Sequence, residues 1–106
     1  MPETRLHQLL KFLEEDPRDP FNLYAVALEY VKIEPEKSIP FFELLLERHS
    51  DYIPSYYHYA KVLAELQQID KAKKILQTGI GVATKGGDAK AAKEMRNMLN
   101  ELEFDL

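Results

Sequence analysis

Three histidines, six tyrosines and no cysteine bound the side-chain chemistry open to this chain of 106 residues. His7, His49 and His58 stand far apart, none has a neighbour at metal-ligand spacing, and there is no thiolate to complete a zinc site. No metal site is expected. The acids Glu14, Glu15 and Asp16, and Glu34 with Glu36, fall at the ends of expected helices and not in the facing arrangement of a general acid and base. Residues 81–87 have the glycines of a phosphate-binding loop. No Lys-Ser/Thr pair follows the second glycine, however, and the segment continues a helical pattern where such loops follow a strand. A helix break is expected there. No nucleophile motif occurs, so neither a catalytic residue nor a cofactor is expected.

Composition narrows the class further. Apolar residues make up 45% and charged residues 30%, the balance of a globular chain with one core. No apolar run approaches the roughly 20 residues that cross a bilayer, and the N-terminus lacks the basic flank and apolar run of a signal peptide. A cytoplasmic protein with no membrane contact is the expectation. The net charge of −4 argues against nucleic acid as a partner. The charge is uneven: residues 1–52 carry 6 basic and 11 acidic side chains, residues 53–106 carry 8 and 7. The basic stretch from Lys61 to Arg96 reads either as solvated helix faces or as a weak patch for an acidic partner.

The elements that must position these side chains follow from apolar spacing. Leu6, Leu9, Leu10 and Leu13 share one helical stripe, which Pro17 and Pro20 must end near Asp16. Leu23, Val26, Ala27 and Tyr30 form the stripe of a second helix, with Pro20 suited to its first turn and Glu34-Pro35 closing it. A third helix carries Phe42, Leu45, Leu46 and His49, and Pro40 near its start predicts regular helix from about Lys37 or Ser38. The fourth opens at Pro54-Ser55 and buries Tyr56, Tyr59, Ala60 and Leu63. Asp70 is the expected N-cap of the fifth, which carries Ala72, Leu76, Gly79, Ile80 and Ala83. Gly86-Gly87 breaks it, Asp88 caps a sixth with Ala92, Met95, Leu99 and Leu102, and residues 103–106 are expected to fray. Nothing alternates with the period of two that a strand requires.

A 33-residue shift carries Leu23, Val26, Ala27 and Tyr30 onto Tyr56, Tyr59, Ala60 and Leu63. A 34-residue shift carries Ser38, Phe42, Leu45, Leu46 and His49 onto Ala72, Leu76, Gly79, Ile80 and Ala83. Small residues recur where helices must cross closely, at Ala27, Ala60, Ala72 and Gly79. A glycine inside a helix lowers helix propensity by about 1 kcal/mol relative to alanine, so Gly79 predicts close approach of another helix. The second unit, from Tyr56 and Tyr59-Ala60 through Asp70-Lys71-Ala72 to Gly79-Ile80, resembles a tetratricopeptide repeat. The first is similar, with Leu45 where that family usually has a small residue.

The resemblance implies an all-α, antiparallel helix-pair array of about six helices wound as a right-handed superhelix. One domain over 1–106 would comprise an N-terminal half-repeat helix (1–16), a first repeat (20–52), a second repeat (53–86) and a C-terminal capping helix (88–103). It also implies a concave, partner-binding face. Tyr24 and Tyr57, equivalent under the shift and one position off the packing stripe, would lie on it. Phe21, Leu28, Val31 and Lys32 would join them in the first repeat, and Lys61, Ala64 and Glu65 in the second. One subset of the family clamps a peptide carboxylate with a lysine and an asparagine on this face. Here Tyr24, Leu28 and His58 hold those slots, so an aromatic groove for a peptide or protein is expected instead, unless Phe21 and Tyr24 are core. His49 is expected in a helix-packing slot and His58 at the surface. The function implied is that of an interaction adaptor. The alternative is a self-assembling module, a homodimer through the unpaired N-terminal helix with Phe12 and Leu6 at its interface.

Overall fold

The computed structural model describes residues 4–104. Its helices are α1 (Arg5–Glu15), α2 (Pro20–Ile33), α3 (Ile39–Arg48), α4 (Pro54–Glu65), α5 (Ile69–Lys85) and α6 (Ala89–Phe104), with a 3-10 turn over Pro35–Ser38. No strand occurs among the described residues. The chain divides into two compact units at the His49–Ser50 junction.

In the first unit, the Thr4 hydroxyl opens α1 by accepting from the His7 N–H at 3.1 Å. Two carbonyls at the end of α1 accept a further bond from outside the helix. The Asn22 side-chain amide donates to the carbonyls of Phe12 (3.2 Å) and Asp16 (3.1 Å), which ties the α1 terminus to the start of α2. Asp19 caps α2 by accepting from the Phe21 N–H at 2.9 Å, with Pro20 in the first turn as expected. The core face of α2 is Leu23, Val26 and Ala27, all buried.

Regular α-helix in α3 begins one or two residues later than the sequence predicts. Pro40 lacks the N–H that would bond back to Glu36, so it must lie in a first turn. The α-helix therefore starts at Ile39, and the residues before it tighten into the 3-10 turn. Ser38, fully buried, donates its hydroxyl to the Pro35 carbonyl at 2.6 Å. Phe42 and Leu45 are buried, and Tyr30 stacks on Phe41 with ring centroids 5.4 Å apart.

The second unit repeats these devices. Ser55, also fully buried, donates to the Tyr52 carbonyl at 2.7 Å, as Ser38 does to Pro35. Along α4, Ser55, Tyr56, Tyr59, Ala60, Val62 and Leu63 are buried. Gln67 then turns the chain with φ +66°, a conformation more often held by glycine, and the Gln68 N–H reaches back to the Leu63 carbonyl at 2.8 Å. This closing motif uses the residues just before α5, so Asp70 is not its N-cap: Gln68 holds that position without a side-chain bond. Asp70 falls instead in the first turn, where its charge meets the positive end of the helix dipole.

At the other end of α5, Gly87 takes φ +75° and the Asp88 N–H bonds the Ala83 carbonyl at 2.9 Å. Asp88 caps α6 as expected, accepting from the Ala91 N–H at 3.0 Å. Helix α6 runs to Phe104, so residues 103 and 104 are helical and not frayed. Residues 105 and 106 of the expected tail lie outside the described residues.

Gly79 explains how the three helices of this unit close up. A methyl group added there would sit 2.6 Å from the Met95 sulfur on α6 and 2.6 Å from the Tyr56 Cβ on α4. The helix–helix approach predicted from this glycine is present on both sides.

Candidate functional site

Tyr57 lies one position beyond the buried Tyr56 on α4, so its ring leaves the core and is half-buried. Two adjoining recesses between α4 and α6 share Tyr57 and Glu94 in their walls. The upper one, of about 260 Å³, lies between the starts of the two helices and is lined by Ile53, Pro54, His58, Asp88, Lys90 and Ala91, with buried Met95 beneath. The lower one, of about 320 Å³, continues along the helices to Lys61, Asn97, Met98 and Glu101. Together they form a groove with an aromatic residue at its midpoint and charges along both edges.

Two hydrogen-bonded supports fix the upper end. The Tyr56 phenol donates to the Ser50 carbonyl at 2.6 Å and pins the start of α4 to the preceding loop. Burial, with the Asp51 carboxylate as a lesser cause, raises this phenol above its usual 10.0, so it stays a donor at neutral pH. The Asp88 cap holds the start of α6.

His58 is half-buried beside the groove, in edge contact with the Tyr57 ring at 5.4 Å, and not at the surface as expected. Burial pushes its imidazole below the usual 6.5, nearby Lys61 adds to the effect, and Glu94 opposes it. The ring is therefore neutral at neutral pH.

Of the residues singled out in the second repeat, Tyr57 and Lys61 come together in the groove. Glu65 is exposed one turn beyond Lys61 and lines neither recess. In the first unit Phe21 is 59% exposed and so is not core. Tyr24, Leu28 and Val31 are half-buried along α2, and exposed Lys32 pairs with Glu29 at 3.7 Å. Glu29 also meets Arg5 of α1 at 3.4 Å, so Lys32 belongs to a surface ion-pair cluster.

The α6 wall was missed in the sequence, although a signal for it existed. The 33-residue shift that relates the repeats carries Tyr57, His58, Lys61 and Glu65 onto Lys90, Ala91, Glu94 and Met98. All four of those residues line the groove.

No protein-family model and no curated protein matches this sequence. Solved structures do. The solution NMR structure of a tetratricopeptide repeat domain protein from Salinibacter ruber is 35% identical, with a TM-score of 0.79 over 83% of this chain and 90% of that one. A crystal structure of a tetratricopeptide repeat domain protein from the same organism is 32% identical, with a TM-score of 0.79 over 83% of this chain and 100% of that one. The solution structure of a Bordetella parapertussis protein shares the fold at a TM-score of 0.85, over 98% of this chain and 91% of that one, at 17% identity. The paired buried positions at a 33–34-residue period agree with this identity level, and the chain belongs to the tetratricopeptide repeat family.

Proposed function

We propose that this chain is a protein-interaction adaptor, and that it seats a segment of a partner protein in the groove between α4 and α6. The observation that carries the proposal is Tyr57. It is a rigid amphipathic ring held half-out of the core at the point where the two recesses meet. Tyrosine in such a setting offers large contact area at low entropic loss and is enriched among the residues that dominate binding energy. Tyr24 occupies the equivalent position in the first repeat, on α2, and is the candidate anchor of that unit. The fold supports this reading, since a partner-binding face is what the family resemblance implies.

The test pairs Tyr57→Ala and Tyr24→Ala, each assayed by thermal melting and by partner capture from lysate of the native host. Loss of capture with melting unchanged is the expected result. If the melting temperature collapses with each change, both rings are core and the groove does not bind.

Self-association through α1 is the second reading. Helix α1 has no fully buried residue, and Phe12 on it is 54% exposed. Light scattering separates the two: a 12.3 kDa species supports the adaptor, and twice that mass supports assembly. A dimer that Phe12→Ser returns to monomer would place the interface on α1.

A further inference from the structure

The charges along the α4–α6 groove are arranged with a definite spacing. On α6, Glu94 and Glu101 are seven residues apart, two turns on one face, which sets them about 10.5 Å apart along the axis. Met98 lies between them, and the half-buried Tyr57 ring faces the same recess. The groove thus has an apolar midline with a carboxylate at each of two levels.

The net sign of the lower recess is negative. Exposed Glu94 and Glu101 stand against Lys61 alone, while Asp88 and Lys90 offset each other at the upper end. Neutral His58 contributes no positive charge at neutral pH. Among the described residues no ion pair engages Glu94 or Glu101. These carboxylates keep their charge available to a cation supplied from outside.

We infer that the groove selects a helical partner segment carrying two basic side chains seven residues apart, with an apolar side chain between them. This inference rests on the adaptor reading above and specifies the partner. A helix repeats its face every seven residues at about 10.5 Å, which matches the Glu94–Glu101 separation. A β-strand brings same-side residues round every second position, at about 6.8 or 13.6 Å, and matches neither. The intervening apolar residue meets Met98 and Tyr57, and a lysine or arginine meets each glutamate. The sign is opposite to that of a peptide held by its terminal carboxylate.

The experiment is a display selection of random 16-residue peptides on the full chain, counter-selected on Tyr57→Ala. Enriched peptides are then measured by fluorescence anisotropy against the parent, Glu94→Gln, Glu101→Gln and the double variant. Both glutamates are exposed, so the variants keep the fold, and circular dichroism melts check it. The expected peptides carry lysine or arginine seven apart. Their affinity falls about threefold with each single substitution and about tenfold with both, as for partly exposed charge pairs, and it weakens as salt rises.

Peptides that need Tyr57 but are neutral or acidic overturn the charge selection and leave the adaptor reading standing. Basic peptides that bind equally well after a central proline is introduced overturn the helical geometry. Selection of nothing, or only of peptides indifferent to Tyr57, overturns this inference and the groove with it.

Discussion

At Gly79 an added methyl group has nowhere to go, whereas two positions along the same helix one at Gly81 meets nothing within 4 Å. The two glycines make a matched test. Gly81→Ala gains helix propensity without a clash and should raise stability by about 1 kcal/mol. Gly79→Ala gains the same propensity but drives into Tyr56 Cβ, which moves only if α4 moves. Overpacking of this kind costs about 1–3 kcal/mol and should outweigh the gain. Urea unfolding of both variants checks the opposite signs. His58 offers a test in pH. Its folded pKa lies below its unfolded 6.5, so the unfolded chain takes up the proton first as pH falls. The stability contributed by the neutral ring is complete above pH 6.5 and is lost as pH drops through the window below it. The melting temperature should therefore decline between pH 7.5 and 5 by less in His58→Gln than in the parent.

At the scale of elements, apolar spacing sufficed to place the six helices of the described residues, because each turns an apolar stripe to one side and a polar face to water. Leu23, Val26 and Ala27, and their counterparts Tyr56, Tyr59 and Ala60, were legible in this way and are buried. What spacing did not carry was backbone bonding at the ends. The tight turn before Ile39 follows from the hydrogen bond Pro40 cannot make, and the bypass of Asp70 follows from the left-handed Gln67. The groove was half legible for a related reason. Tyr57 and Lys61 sit in a recognisable repeat, whereas α6 was read as a cap, so Glu94 and Met98 were never paired with them. Helices should also differ in local stability. With no residue of α1 fully buried, its amides are expected to exchange with solvent well before those of α4 and α5, as hydrogen-exchange mass spectrometry would show.

For the molecule as a whole, the division at His49–Ser50 separates units of unequal packing and charge. In residues 50–106 each of the three helices contributes fully buried side chains, and Tyr56, Gly79 and Met95 interlock them. In residues 1–49 one of the three helices contributes none. Chains of this length are marginal when isolated, so a difference in core quality should be decisive. A fragment of residues 50–106 is expected to melt cooperatively by circular dichroism at 222 nm, while residues 1–49 alone lose helix gradually. Equal behaviour of the two fragments would contradict the assignment of most of the packing to α4, α5 and α6.

The placement of two methionines on α6 has a chemical consequence. In a chain without cysteine, thioethers are the sulfur groups open to oxidation. Met95 is 1% exposed, at the floor of the upper recess and against Gly79, while Met98, less than one turn away, is half-buried in the groove wall. Mild peroxide should convert Met98 to its sulfoxide while sparing Met95 until α6 comes away from α5. A polar sulfoxide at Met98 would replace the apolar midline of the groove with a hydrogen-bond acceptor. Peptide mapping of the two residues therefore reports two different events: occupancy of the groove shields Met98, and unfolding of the helix exposes Met95.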